Sequence, residues 1–179
     1  MNIVVVSHNT GNFFFKPDNT LVRDSKDFFP PGFVTDISVA LSVVVKISRS
    51  SKCTLREYAG RYYNEWGFGL ILYPENLLVE KAISMDNTAY VTEKLLPIDK
   101  INNIGQLNFL LDNTLVFDNT IGDNFQTEIN KSIEDISKYS SLKSGDLIYI
   151  EATERIPASI GNRLKVSYSG QTYLDFCIR

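Results

Sequence analysis

The chain has little cysteine, a single histidine and no excess of positive charge. Cys53 and Cys177 are its only thiols, and two thiols imply no disulfide framework. His8 is its only histidine. With no Gly-x-Ser-x-Gly elbow either, no nucleophilic triad is recognisable. Lys and Arg number 18 against 21 Asp and Glu, a formal charge of -3. Without a basic stripe, a nucleic-acid partner is not expected. The longest apolar run, around Val43 to Val45, is far too short to span a bilayer, so no membrane partner is expected. The N-terminus, "MNIVVVSHNT", lacks a basic region and a small-residue cleavage site and reads as a first strand, not a signal peptide. These features together lead to the expectation of a cytoplasmic protein of bacterial type. No repeat, low-complexity tract or Gly/Ser linker divides residues 1–179, which read as one domain. "GFG" at 67–69 lacks the pattern of a phosphate-binding loop.

What is present is strand. In "TDISVALSVVVKISR" (35–49), Ile37, Val39, Leu41, Val43, Val45 and Ile47 alternate. Alternate side chains of a strand share a face, so these line one apolar face. The other face, Asp36, Ser38, Ala40, Ser42, Val44, Lys46 and Ser48, is small and nearly chargeless in its middle. It suits neither a solvated surface nor a packed core. "NIVVV" (2–6) reads as a buried strand, and "GNFFFKPDN" (11–19) as an aromatic strand ending at Pro17. "TLRE" (54–57) fits a capping box opening a helix with Leu55, Tyr58, Ala59 and Tyr62 on its core side. "WGFGLILY" (66–73) reads as a strand whose two glycines permit close packing, and Pro74 is suited to start a short helix. "TAYVTEKLLPI" (88–98) reads as extended. "QLNFLLDNTLVFDNT" (106–120) reads as a hairpin about Asp112-Asn113. Ile129, Ile133 and Ile136 mark an amphipathic helix over 127–139. "LIYIEAT" (147–153) reads as a strand, and the last sixteen residues as a hairpin about Ser169-Gly170. The fold class expected is α+β: mostly β, a curved and mainly antiparallel sheet system with two or three helices.

Other candidates are weaker. Glu151, Glu154, Asp118 and Asp123 show no i, i+2 pairing and read as solvated acids, with a Ca²⁺ site in "FDNTIGDN" the sharper alternative. Cys53, ahead of the expected helix, reads as an ordinary thiol or one activated by the helix N-terminus. Tyr62, Tyr63, Trp66 and Phe68 read as core, or as part of a dimer interface.

Several segments in order resemble the fumarylacetoacetate hydrolase family, in the manner of its C-terminal domain. They are "FFFKPDNTLV", "VALSVVVKISR", "YAGRYYNEWGFGLIL", "LLPIDKI", "LNFLLDNTLVFDNT", "SIEDISKYSSLKSGDLIYI" and "YLDFCIR". Phe14, Phe15, Lys16 and Pro17 match its Phe-x-Lys-Pro element. Leu142, Gly145, Asp146, Leu147 and Ile148 match its turn into a strand. The resemblance implies a mixed β-roll, a homodimer, and hydrolysis, decarboxylation or isomerisation of diketo and 2-oxo acids. It also implies a divalent cation, Mg²⁺ or Mn²⁺, on a Glu-x-Glu pair and a later Asp, since carboxylates at i and i+2 share a face and hard cations take oxygen ligands.

The match puts the two glutamates at Ala40 and Ser42 and the aspartate at Ile71, so the ligands are absent. The Arg-Asp pair that follows falls at Glu75 and Asn76, and a pocket lysine at Ser84. A Gly-Thr-Pro loop falls at 151–157, beginning at Glu151 and lacking its glycines. Of an acid/base pair on a lid, only His8 remains nearby. His8, Lys16, Ala40, Ser42, Ile71, Glu75, Ser84 and Glu151 are therefore the vestigial site positions, with no metal or other cofactor expected. The reading is a non-catalytic protein of this fold that binds a partner or small molecule in the vestigial cavity. It would be a homodimer, or pair with an active relative. The alternative is a hydrolase, decarboxylase or isomerase of 2-oxo or diketo acids acting through an altered site.

Overall fold

The computed structural model describes residues 1–100, 105–121 and 124–179. In chain order the strands are β1 (Ile3–Val6), β2 (Phe13–Lys16), β3 (Leu21–Val22), β4 (Ile37–Ile47), β5 (Tyr63–Pro74), β6 (Ala89–Val91), β7 (Leu96–Pro97), β8 (Gly105–Leu111), β9 (Thr114–Ile121), β10 (Leu147–Glu151), β11 (Ile156–Ala158), β12 (Arg163–Tyr168) and β13 (Gln171–Cys177). The α-helices are α1 (Val79–Ile83) and α2 (Asn124–Tyr139). A nine-stranded sheet runs β2-β1-β10-β4-β5-β6-β3, with β11 beside β4 and β7 beside β5; a four-stranded sheet runs β13-β12-β8-β9. Most pairings are antiparallel, but β1 with β10 and β3 with β6 are parallel. Among the described residues no helix is long and apolar enough to cross a membrane.

The large sheet is covered on both faces. Its outer face carries Val39, Leu41, Val43 and Val45 of β4 with Trp66, Phe68, Leu70 and Leu72 of β5, all fully buried. The four-stranded sheet and α2 lie over it in one continuous apolar layer. Phe68 meets Tyr168 and Tyr173 with ring centroids 5.1 Å apart, and Tyr90 stacks on Phe176 at 3.9 Å. Ile129, Ile133 and Ile136 supply the buried stripe of α2, as their spacing requires.

The inner face carries a second apolar cluster: Ile3, Val5, Ala40, Val44, Ile71, Tyr73, Ala89, Val91, Leu147 and Tyr149. These come from β1, β10, β4, β5 and β6, neighbouring strands of a sheet curled into a half-barrel, and they pack on its inside. The small face of β4 is thus packed, contrary to the expectation that it was not core. Small residues serve there because a curled sheet leaves little room on its concave side. Gly69 shows how little. A Cβ there would lie 2.5 Å from Cε1 of Tyr149 and 2.7 Å from the Tyr90 carbonyl oxygen.

Both expected hairpins form. Asp112 and Asn113 (φ 50° and 67°) and Ser169 and Gly170 (φ 48° and 80°) adopt the left-handed pairs that such two-residue turns need. Two local expectations fail. Residues Arg56–Arg61 form a 3-10 helix without a side-chain cap. Thr54 is not free to cap it. Its hydroxyl bonds Ser51, and its N–H donates to Ser137 Oγ at 2.9 Å. Leu55 and Tyr58 are exposed, and only Ala59 is buried there. Pro74 ends β5 instead of opening a helix; α1 begins five residues on, with Leu78 as its N-cap. Tyr63, Trp66 and Phe68 are core, with Tyr62 half-buried. Asp118 sits exposed in β9, and Asp123 lies outside the described residues.

Candidate functional site

The site is built by register. On the inner face Ala40 pairs with Ile71, and Ser42 lies between Gly69 on β5 and Glu151 on β10. The three positions matched to metal ligands are therefore neighbours, and all three are fully buried. They offer one hydroxyl and no carboxylate. Ser42 Oγ itself has no hydrogen-bond partner. Hard divalent cations take six or more oxygens, several of them anionic. The donor set at Ala40, Ser42 and Ile71 does not fit such an ion. Among the described residues no group of three His, Cys, Asp or Glu could hold a metal ion.

Polar groups gather one step further along the same face, at the mouth of the roll. Alternation carries Ile71 to Tyr73, whose hydroxyl donates to Glu151 Oε1. Glu151 is not a solvated acid: it is buried, and its second oxygen accepts the His8 main-chain N–H at 3.0 Å. Next to that bond His8 Nδ1 lies 3.2 Å from the Glu151 carbonyl oxygen. A carbonyl only accepts, so this bond puts the neutral ring's proton on Nδ1. Burial, then the adjacent Glu151 carboxylate, push the Tyr73 hydroxyl well above its ordinary value, so it stays a donor at neutral pH.

The segment after β10 delivers a cation. Ala152 N–H donates to Leu41 O at 2.7 Å, and Leu41 N–H donates to Thr153 Oγ1 at 3.0 Å. β11 then continues along β4 in the same direction as β10. Between these anchors Arg155 lays its guanidinium over the Tyr73 ring at 3.8 Å, with Nη1 3.4 Å from Glu75 Oε1. Glu75 also accepts from Ser38, the next inner-face residue of β4. Glu75, Tyr73, Arg155, Glu151 and His8 thus form one linked cluster at the mouth.

Lys16 and Ser84 stand together elsewhere. Lys16 Nζ donates to the Ile83 carbonyl at 2.9 Å, at the end of α1, and Ser84 is the C-cap of that helix. Lys16 is 2% exposed, and burial pulls its amine down from 10.5 to about 8. Ser84 lines a groove with Phe29, Phe33 and Met85. A larger cleft of about 740 Å³ lies on the outer side of the sheet, between the His8 loop, β9 and α2, with Glu151 and His8 among its lining residues. Neither of these two clefts is lined by Ala40, Ser42 or Ile71. Tyr73 and Arg155 carried no sequence motif. Only alternation from Ile71 pointed to Tyr73, and the placement of Arg155 depends on non-local anchoring.

Solved structures resemble this chain over its whole length. A fumarylpyruvate hydrolase from Pseudomonas aeruginosa, in complex with Mn²⁺ and pyruvate, superposes with a TM-score of 0.83 over 100% of this chain and 90% of its own, at 14% identity. A Yersinia pestis CO92 protein provisionally assigned to the fumarylacetoacetate hydrolase family superposes with a TM-score of 0.83 over 99% and 92%, at 17% identity. The chain has a fumarylacetoacetate hydrolase-like fold. A 5-carboxymethyl-2-hydroxymuconate delta-isomerase from Mycobacterium smegmatis shares this fold, with a TM-score of 0.81 over 99% and 78%, at 12% identity. No family model and no curated protein matches the sequence.

Proposed function

We propose that the chain handles small 2-oxo or diketo acids, cleaving, decarboxylating or isomerising them through the mouth of the roll. The observation that carries this is the cluster of Glu151, Tyr73, Arg155 and His8 in a fold whose neighbours are named for such chemistry. Arg155 is half exposed and is the cation a substrate carboxylate would meet; its planar fork suits that group. Glu75 holds it through a single contact at 3.4 Å, which an incoming carboxylate would replace. Glu151 is the candidate base for a proton beside the oxo group, with Tyr73 and the His8 N–H orienting it. The test is pyruvate release from acylpyruvates and oxaloacetate in EDTA, followed by a coupled assay. Turnover lost in Glu151→Gln, with a raised KM in Arg155→Met, is expected. Turnover that survives both substitutions would overturn the assignment.

The packing about Ile71 favours a second reading, a non-catalytic protein that binds such an acid, or a partner, without converting it. Calorimetry with oxalate separates the two, since binding without turnover in any condition fits only the second. A homodimer, or a pair with an active relative, is the assembly expected on either reading, and light scattering measures it.

A further inference from the structure

The inner layer does more than lack ligands: it is occupied. The Tyr149 ring lies directly on the bare backbone of Gly69, so close that a Cβ there would be 2.5 Å from its Cε1. Gly69 is the cross-strand partner of Ser42 and lies two residues from Ile71. Tyr149, Ile71, Ala40 and Val44 are each fully buried in the one cluster. Beside Gly69 the Ser42 and Tyr149 hydroxyls are buried with no hydrogen-bond partner, and neither is anionic. Burial pushes the Tyr149 hydroxyl far above its ordinary value, so it is no phenolate. The adjacent carboxylate, Glu151, has one oxygen committed to Tyr73 and the other to His8.

We propose that Tyr149 and Ile71 plug the inside of the roll where Ala40 meets Ser42, and that the protein folds and works with no divalent cation there. An aromatic side chain against a glycine is a packed contact, not a retracted lid. A cation would have to displace it and still find anionic oxygens. The proposal stands apart from the acid-handling reading: absence of turnover both with and without a divalent cation would end that reading and leave this one standing, whereas turnover that requires the cation would overturn this one.

Two measurements test it. First, thermal unfolding of the purified protein with EDTA, with 5 mM Mg²⁺ or with 1 mM Mn²⁺ is expected to give one Tm. A saturable rise of several degrees, reversed by EDTA, would overturn the proposal, because a ligand of the native state alone raises stability. Second, Tyr149→Phe is expected to match or exceed the parent in Tm, and Tyr149→Ala to fall by roughly ten degrees or more. Millimolar p-cresol, which has the shape of the lost side chain, should restore part of that fall and leave the parent unmoved. A folded Tyr149→Ala with parental Tm would show that no plug exists. If Tyr149→Ala does not fold, Tyr149→Leu is measured instead; a smaller fall of a few degrees is expected, without rescue by p-cresol, and a parental Tm would overturn the proposal.

Discussion

The two faces of the large sheet are both buried, but they are built differently. The outer face is large side chain against large side chain: Trp66, Phe68, Leu70 and Leu72 meet the second sheet and the isoleucines of α2. The inner face packs small and branched aliphatic residues, glycines and two tyrosines inside a curl, with unpartnered hydroxyls at Ser42 and Tyr149 and a charged cluster at its mouth. The outer face supplies most of the apolar burial, and hence most of the stability. The shared fold thus rests on the outer scaffold, at 14% identity to a solved hydrolase of that fold, while the inner layer holds Ala40, Ser42 and Ile71.

Substitutions on the inner face sharpen this contrast. The largest effect expected is from Ile71→Asp. It deletes a fully buried side chain and leaves a carboxylate beside Ala40 with no cation near it. The cost expected is about 4 kcal/mol by urea unfolding. Millimolar Mn²⁺ should not recover it. Recovery by Mn²⁺ would mean the layer can still seat an ion, and the contrast between the faces would collapse.

Gly69→Ala comes next, at about 2–3 kcal/mol, because the added methyl meets Tyr149, Val44 and the main-chain oxygen of Tyr90. The double variant with Tyr149→Leu should recover part of the loss. Additivity of the two would show that the ring and the glycine do not touch.

Much of this was legible in the sequence, and the rest failed for identifiable reasons. Alternation in β4, the left-handed turn pairs and the isoleucine stripe of α2 are local signals, and the structure follows them. The capped helix expected to open at Thr54 was lost to Ser137, a residue more than eighty positions away that takes the Thr54 N–H. The packed state of the inner face depends on Tyr149 and Gly69, which no period within one strand could bring together. Glu151 read as a solvated acid because its partners, Tyr73 and His8, lie on other strands and loops.

Lys16 tests the periphery of the inner face. Its folded value, about 8, lies below its ordinary 10.5, so the native state binds fewer protons than the unfolded chain between those values. Stability therefore rises with pH across that window, and the deficit is complete below pH 8. Lys16→Met should gain about 1–2 kcal/mol at pH 7, part of the gain being offset by the abandoned Ile83 carbonyl. The gap between variant and parent should close by pH 10.5. The raised tyrosines Tyr73, Tyr90 and Tyr149 lower stability at higher pH, but in both proteins alike. A gap independent of pH would show that the amine is not carrying the cost.

The smallest effect isolates the hydroxyls. Ser42 and Ser137 are both fully buried serines, one on each side of the sheet. Ser137 accepts from the Thr54 N–H at 2.9 Å and donates to the Glu134 carbonyl at 3.1 Å, so Ser137→Ala leaves a buried donor alone and should cost about 1–2 kcal/mol. Ser42 has no partner to strand, so Ser42→Ala should be neutral or stabilising by up to about 1 kcal/mol. The same atomic change then has opposite signs on the two faces. Urea midpoints with unchanged m-values measure both. If Ser42→Ala costs as much as Ser137→Ala, the Ser42 hydroxyl is engaged in solution, and a layer packed without bound ligand or water is the wrong description of the inner face.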